Sequence, residues 1–363
     1  MAHPPRSSVF SRARGRWRLG LARRPRFALL PVAAMIAVLV PVLGVTPQAL
    51  EGQSAQDRIQ GLGIENAERY IDPVARGLGL ALTAGIFDRA TVLPAFHVDL
   101  GVRIAASFRS EADRTFDAVL PASFEWDHPA TGPRSFQNPL APVEGSLTTP
   151  SAMGEGPGIV VEPAGEFRQA LLQAGENPDA YRVAFPAGLD LSLVPAAALY
   201  VSMGVGFGTE ITLRALPGVR VSPDLGNFSG TGFAVKHEIS RWIDSPVDLA
   251  VGVGSQNLSV DEFFEASAME GWLLVGKAVG PLSFYGTGGL RRATVDVEYR
   301  VDNPNEIPGL PADGTVVTFQ PDLGTRAAWG GGIRLQLLLL NLAGQYNGGE
   351  NPGFSIKVAF GIP

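Results

Sequence analysis

The amino-acid sequence predicts an all-β protein, a transmembrane antiparallel β-barrel of about 12 strands that follows a short helical segment. Three observations favour this fold: a leader typical of export, strands with a two-residue period, and few charged residues. Of the 363 residues, 45% are hydrophobic and 18% are charged, whereas soluble domains average about 25% charged residues. The sequence has no cysteine, which excludes disulfides, thiolate metal sites and a cysteine nucleophile.

Residues 1–49 have the composition of a signal peptide. They contain eight arginines and no acidic residue, and an uncharged apolar run covers residues 27–45. A basic region followed by an apolar region and then small residues is typical of a secretory signal. The alternative is an uncleaved anchor, because the run just reaches membrane-spanning length. Pro31 and Pro41 interrupt it and disfavour a straight spanning helix, so we expect cleavage between Thr46 and Ala55.

Cleavage would leave a strongly acidic chain. The whole sequence has 29 basic and 35 acidic residues, a net charge of −6. Without the eight arginines of the leader, 21 basic residues stand against 35 acidic ones, a net charge of −14. Nucleic-acid binding requires a basic face that neutralises phosphates. We therefore expect no nucleic-acid partner.

The strand pattern is clearest over residues 96–109. Every second residue from Phe96 to Phe108 is apolar, and small or polar residues stand between them. Successive side chains of a strand point to opposite faces, so one face of this strand is continuously apolar. Seven apolar positions exceed a usual strand of five or six residues. They suit a membrane strand, which needs about 9–11 residues.

The same alternation recurs in later segments, residues 199–207, 211–215, 247–253, 293–301, 333–337 and 354–362. With less regular segments between them, the sequence predicts about 12 strands, within a range of 10–14. A membrane barrel turns its polar face to the lumen. The predicted lumen-facing residues are His97, Asp99, Arg103, Arg109, Asp296, Glu298 and Arg300. An exported soluble β-protein is the alternative, because it alternates in the same way around an apolar core.

Residues 50–90 form a separate segment before the barrel, which we place at 91–363. Residues 64–71 have helical spacing, and Pro73 is expected to end or kink that helix. Residues 78–86 alternate again, so the segment is either a periplasmic helix followed by a first strand or a plug inside the lumen. Long loops are predicted at 127–181, with a short helix at 166–174, and at 302–322.

Three motifs resemble a known family. They are Tyr70-x-x-Pro73 with the Gly/Ala-rich stretch 77–85, Phe207-Gly208-Thr209-Glu210 with Arg214, and the set Gly230, Gly232, Lys236, His237, Glu238 and Trp242. Over residues 60–363 the sequence resembles a family of bacterial proteins of unknown function that are thought to be outer-membrane β-barrels. Residues 75–91 are more distantly similar to the start of the long-chain fatty-acid porin family, whose members take hydrophobic compounds through a plugged barrel. The resemblance implies location and fold, and no activity.

Candidate chemistry is sparse. His237 has Ser240 and Asp244 nearby in the sequence, which leaves a hydrolase at the barrel rim as one alternative. The other interpretation is a turn, in which Lys236 and Glu238 are paired or solvated and Trp242 anchors at the membrane interface. We expect no enzyme, no metal and no cofactor.

The sequence therefore predicts a barrel of the cell outer membrane that passes or binds small compounds, hydrophobic ones included. The alternative role is a structural or surface-interaction barrel that acts through its long loops. Its expected partners are outer-membrane lipid, the barrel-assembly machinery during biogenesis, and a small-molecule ligand.

Overall fold

The alternating segments form a closed β-barrel in a computed structural model of the chain. The structure describes residues 63–222, 226–260, 264–300, 312, 314–321, 323–349 and 351–362. The predicted signal peptide, residues 1–49, lies outside the described residues, as does the first part of the 50–90 segment.

The elements are as follows. Helix α1 (Ile64–Thr83) precedes strand β1 (Val98–Phe108). An insertion, residues 109–192, contains β2 (Thr115–Asp117), β3 (Ser123–His128), β4 (Gly132–Gln137), β5 (Leu140–Pro142), β6 (Thr148–Pro150), β7 (Val160–Pro163), α2 (Gly165–Ala174) and β8 (Val183–Ala184). The remaining strands are β9 (Leu193–Gly206), β10 (Thr209–Ser222), β11 (Gly226–Glu238), β12 (Asp248–Val260), β13 (Phe264–Val279), β14 (Leu282–Arg300), β15 (Val316–Phe319), β16 (Thr325–Leu337), β17 (Leu340–Gly348) and β18 (Gly353–Ile362).

Ten of the described strands close the barrel. Strands β9 to β14 and β16 to β18 pair antiparallel with their neighbours in order, and β1 pairs with both β9 and β18. Strand β15 adds one short extra strand to the end of β14. The prediction of 12 strands is therefore too high. The strands of the 109–192 insertion have two to six residues, too few to cross the barrel wall, and they pair with one another in three small separate sheets.

The barrel has two different ends. At the tight-turn end, two-residue turns join β9 to β10, β13 to β14 and β16 to β17, and β18 ends there at Ile362. The opposite end, the long-loop end, carries the 109–192 insertion and the connection between β14 and β16. This arrangement matches the unequal connections of outer-membrane barrels.

Helix α1 and the connector that follows it, residues 84–97, run through the lumen. The Asn66 side chain bonds the backbone of Val119 in the insertion, and lower down Arg214 of β10 donates to the Leu82 carbonyl oxygen at 3.0 Å. The connector then passes Gly252 of β12, which the Phe87 ring approaches so closely that an added Cβ would overlap it. It reaches Gly204 of β9, near the tight-turn end, at Pro94. We call residues 64–97 the plug, because they occupy the lumen from one end to the other.

The plug differs in two respects from the sequence expectation. Helix α1 continues for ten residues after Pro73, which was expected to end or kink it. Residues 78–83 are helical rather than extended. The barrel wall surrounds this half of α1, so Leu78, Leu80 and Leu82 are all buried although they alternate in sequence. A helix buried on every side carries no helical period to be detected. Among the described residues, no helix is both long and apolar enough to cross a membrane.

The barrel wall has two zones of opposite polarity. On β1, Asp99 and Arg103 point inward and are buried, whereas Leu100 and Phe108 are exposed on the outside. Nearer the long-loop end the faces are reversed. There the interior is apolar, and its inward residues pack against α1 in one cluster that includes Val260, Phe264, Ala266, Val295 and Val297.

Asp296 and Glu298 lie in this second zone and are exposed on the outer face, although they were expected to face the lumen. The reason is the helix inside the barrel: the apolar surface of α1 has to be covered, so Val295 and Val297 point inward and the acids point outward. The side chain of Arg300 lies outside the described part of the chain.

The 109–192 insertion is folded rather than an open loop. Phe124, Trp126 and Phe136 of β3 and β4 pack around Phe167 of α2, with the Phe124 and Phe167 rings 4.6 Å apart in a T-shaped pair. Helix α2 lies where the sequence predicted a helix, within the predicted loop 127–181. The insertion is tied to the plug by the Tyr70 hydroxyl, which donates to the Ala187 carbonyl oxygen at 3.0 Å.

The reversal of polarity can be tested by a pair of adjacent substitutions. Val297 is fully buried against the plug, so Val297→Asp places an unpaired carboxylate in an apolar cluster and should cost about 3 kcal/mol or more. Glu298→Gln, on the exposed face, should have almost no effect. Urea unfolding and heat-dependent gel migration of the refolded protein measure both. Equal stability of the two variants would contradict the reversed zone.

Candidate functional site

The most concentrated chemistry lies in the lumen, between the wall and the plug. The two-residue period of the strands directs polar side chains inward from six wall strands. The buried charged residues of this site are Asp99, Arg103, Glu210, Arg214, Lys236, Glu270, Arg334 and Lys357 from the wall, with Asp88 and Arg89 from the plug. Because each strand brings only one or two of them, the site exists only in the closed barrel.

Asp88 of the plug lies among cations of the wall. Its Oδ2 atom is 2.7 Å from Lys357 Nζ, 3.9 Å from Arg334 Nε and 4.0 Å from Arg103 Nη2. All four side chains are buried. A buried carboxylate is stable only when cations and donors surround it, so Asp88 holds the connector to β1, β16 and β18.

Asp99 of β1 adds a second carboxylate beside the same cations. Its Oδ2 atom is 3.2 Å from Lys357 Nζ, and its Oδ1 atom accepts a hydrogen bond of 2.7 Å from Asn341 Nδ2. Arg334 Nη2 in turn donates to Asn341 Oδ1 at 2.8 Å. The ammonium of Lys357 also lies 4.5 Å above the centre of the Tyr200 ring, a cation–π arrangement.

A second cluster holds the lower part of the plug. Arg89 pairs directly with Glu210 of β10, whose other carboxylate oxygen lies 3.3 Å from Lys236 Nζ. The Leu93 backbone N–H donates to Glu210 Oε2 at 2.8 Å, and Lys236 donates to the Arg89 carbonyl oxygen at 3.3 Å. Both the side chains and the backbone of the connector are thus bound to the wall.

The described lumen carries an excess of positive charge. Six of its buried charged side chains are cations and four are carboxylates. Glu270 of β13 is buried, and neither of its carboxylate oxygens has a hydrogen-bond partner among the described protein atoms. The site is therefore a polar, cationic interior filled by a segment of the chain itself.

The structure separates the residues that the strand period had grouped. Asp99 and Arg103 lie in the lumen site. His97 lies just before β1 at the tight-turn end, with its Nδ1 atom 3.3 Å from the Ala95 carbonyl oxygen. Arg109 belongs to the insertion, where it donates to the Met153 carbonyl oxygen at 2.7 Å and pairs with Asp190 at 3.1 Å.

The motif over residues 230–242 is divided between the two faces of the wall. Gly230 and Gly232 lie within β11, Lys236 points into the lumen site, and Trp242 is exposed after the strand. Glu238 Oε2 accepts a hydrogen bond of 3.1 Å from the Val92 backbone N–H of the plug. Two of the motif residues, Lys236 and Glu238, therefore hold the connector.

His237 is on the outer side, and both of its ring nitrogens have partners. Trp242 Nε1–H donates to His237 Nε2 at 3.2 Å, and His237 Nδ1 lies 3.0 Å from the Thr209 hydroxyl oxygen. The Trp242 donor requires an unprotonated Nε2, which assigns the hydrogen to Nδ1. Ser240, the residue considered as a nucleophile, is hydrogen-bonded to the backbone of Leu249.

Several site residues were missed from the sequence. Asp88 and Arg89 stand in a segment without a clear period, so nothing indicated which way they point. Lys357 and Arg334 carried a usable signal: Lys357 is the single charge of β18, and Arg334 stands between the apolar residues Ile333 and Leu335 of β16. Among the described residues, no group of three or more His, Asp or Glu side chains is arranged to hold a metal ion.

Comparison with known protein families gives one match, which extends over nearly the whole chain. The model of a family of unknown function, DUF6588, matches residues 31–362. The chain belongs to this family. A search of curated proteins gave no match.

The solved structures that match this chain include outer-membrane β-barrel proteins. OmpT, an outer membrane protein of Vibrio cholerae, is 9% identical, with 74% of this chain and 100% of that chain covered and a TM-score of 0.23. Ail, the attachment invasion locus protein of Yersinia pestis, is 8% identical, with 74% of this chain and 100% of that chain covered and a TM-score of 0.22. The N-terminal barrel domain of Pseudomonas aeruginosa OprF is 11% identical, with 42% of this chain and 94% of that chain covered and a TM-score of 0.22.

The strength of the plug anchor can be measured by a double-mutant cycle on Arg89 and Glu210. Each single variant, Arg89→Met or Glu210→Gln, removes the closest partner of a buried charge and should lower the free energy of unfolding by up to about 3–5 kcal/mol. The double variant should lose less than the sum, with a coupling of about 1–3 kcal/mol. Urea unfolding followed by tryptophan fluorescence gives these values.

The exposed pair Arg69 and Glu65, 2.9 Å apart on the same helix, is the matched control. Its coupling should stay below about 1 kcal/mol, as for other exposed pairs. Strictly additive effects at Arg89 and Glu210 would show that the connector is not held by this pair.

Proposed function

We propose that this protein is an outer-membrane β-barrel, exported by a cleaved signal peptide, that controls the passage or binding of a small polar compound and is closed at rest by its own plug. The plug carries the proposal, because ion pairs fasten it inside a polar lumen. The distribution of side chains on the two faces of the wall supports membrane insertion.

The outer face of the wall suits a lipid environment. Exposed residues of the first and last strands, among them Leu100, Ile356 and Phe360, form an apolar exterior around a charged interior. Strands β1 and β18 have 11 and 10 residues, which matches the length of about 9–11 residues needed to cross a bilayer. In water this arrangement would expose apolar surface and bury charge.

Aromatic side chains mark both borders of this apolar exterior. Outward aromatic pairs lie toward the long-loop end, Phe108 with Phe354 at 5.6 Å and Trp329 with Tyr346 at 5.8 Å. Toward the tight-turn end, the exposed aromatic residues include Phe96, Phe207, Trp242, Phe284 and Phe360. Two such belts are typical of barrels at the two membrane–water interfaces.

The lumen favours a polar compound over a hydrophobic one. Its walls carry buried charges with a cationic excess, and the apolar part of the interior is covered by α1. A plug held by ion pairs can be released by competing charge, whereas an apolar core cannot. An anionic small molecule that competes for Arg89, Arg334 or Lys357 therefore fits this lumen better than a fatty compound.

The proposal includes no enzymatic step and no cofactor. Thr209 and Trp242 engage both nitrogens of His237, and Ser240 is bonded to the Leu249 backbone. In the cell, the barrel-assembly machinery would insert the protein, and outer-membrane lipid would surround it.

Conductance in planar bilayers tests this function. The wild-type protein should insert yet show no steady current, since the plug fills the lumen. The double variant Asp88→Asn, Glu210→Gln weakens both anchors and should give frequent openings that favour anions. Glu65→Gln, at an exposed residue of α1 in the same plug, is the control and should remain closed. Steady current through the wild type, or permanent silence of the double variant, would overturn the proposal.

A second candidate function rests on the folded insertion. A connecting loop that merely joins two strands needs no aromatic core, yet residues 109–192 have one. This favours a surface-interaction role, with the insertion as a preformed binding surface outside the cell.

The chain has no cysteine, so single cysteines can report which end faces outward. Glu125→Cys in the insertion should be labelled on intact cells by a membrane-impermeant maleimide. Phe207→Cys at the tight-turn end should be labelled only after lysis. The reverse pattern would place the insertion in the periplasm and remove the surface-interaction role.

A further inference from the structure

The outer wall has an apolar furrow of about 520 Å³ across strands β11 to β14. In the upper of two neighbouring rows, Ser255 lies between Phe233 and Met269. In the lower row, Gly271 lies between Val253 and Leu290. The two small residues form the floor of a slanted channel whose walls are the four larger side chains.

These walls are open to the outside. Phe233, Val253, Met269 and Leu290 are between 46% and 66% exposed, so the furrow is available to a molecule that approaches from the surroundings. An added Cβ at Gly271 meets no atom within 4 Å, which shows that the floor is unoccupied by protein. Glu270 also borders the furrow, but it is buried and its strand position is inward.

A cation stands at the upper end of the furrow. Arg292 pairs with Met269 across β13 and β14 and with Thr325 across β14 and β16, and it is exposed. Its side chain makes no ion pair or hydrogen bond with another described residue.

Arg292 also lies at a border of polarity. The outward row below it is apolar, with Leu290 on the same strand, whereas the outward positions above it are Thr294, Asp296 and Glu298. If the apolar exterior is immersed in lipid, this border is the level of the phospholipid phosphates.

We propose that the furrow binds one acyl chain of an anionic phospholipid and that Arg292 binds the phosphate of the same molecule. The site rests on the proposed membrane location. Acyl methylenes would replace solvent along the walls of the furrow, and the guanidinium would pair with the phosphate through charge-assisted hydrogen bonds. Thr325 and Ser255 offer hydroxyl groups near the glycerol level.

A lipid suits this surface better than a second protein chain. The furrow is a narrow depression, and the outer surface of the wall below it is apolar. Its one unpaired cation, Arg292, is at the height proposed for the lipid phosphates. A second copy would have to supply both a matching ridge and an acid at lipid depth, where an unpaired charge is costly. A lipid with one acyl chain in the furrow and its phosphate on Arg292 requires neither a matching ridge nor a buried acid.

Native mass spectrometry of the full-length refolded protein tests the site, with phosphatidylglycerol and phosphatidylcholine as probes. The wild type should retain one phosphatidylglycerol molecule and bind it more tightly than phosphatidylcholine. Arg292→Gln should weaken phosphatidylglycerol binding by about tenfold, the usual loss for one charge-assisted contact. Gly271→Leu fills the furrow and should weaken both lipids.

Two matched variants control for general effects. Gly288→Leu adds the same side chain at another outward glycine, where an added Cβ again meets no atom. Lys277→Gln removes an outward cation near the tight-turn end. Both should bind lipid like the wild type.

Retention of wild-type affinity by Arg292→Gln and Gly271→Leu would overturn the site, as would a dimer observed in place of the lipid adduct. Flotation with vesicles separates this result from the membrane proposal. Protein that does not float with vesicles refutes the membrane location itself, whereas floating protein without lipid preference refutes only the furrow site.

Discussion

The structure depends on one interaction, the contact between the closed barrel wall and the plug inside it. Ten strands enclose a lumen that the wall side chains alone leave incomplete, and the chain fills it with residues 64–97. The upper half of this plug is a helix with an apolar buried surface, so the wall around it turns valines inward. The lower half carries Asp88 and Arg89, so the wall around it supplies lysines, arginines and carboxylates.

This division explains why the wall has two zones of opposite polarity. The inward side chains of each strand match the polarity of the plug at the same level of the barrel. The outward side chains match the surroundings of the barrel. Around the charged connector, the outward face is apolar and the barrel resembles a membrane protein. Around α1, the outward face carries Asp296 and Glu298, and the barrel resembles a soluble protein with a core.

In the function proposed above, the ion pairs that hold the connector are the part of the interior that a competing ion releases. Breaking an apolar contact exposes hydrocarbon, whereas a buried ion pair can be exchanged for another ion of the same sign. The reversible closure that we propose for the lumen rests on Asp88, Glu210 and their cations. The insertion adds a separate constraint, because its contacts with Tyr70 and Asn66 fix the upper end of the plug.

The sequence alone determined the two-residue period, and with it the inward direction of Asp99 and Arg103, whereas Lys236, expected in a turn, lies in β11 and points into the lumen. These follow from local geometry, because neighbouring side chains of a strand always point to opposite faces. It also indicated the short helix of the insertion. Only the tertiary structure decided that residues 78–83 are helical, that ten strands suffice, and that Asp296 and Glu298 point outward. Each depends on the plug lying inside the barrel, a contact between segments far apart in the chain that leaves no period in the sequence.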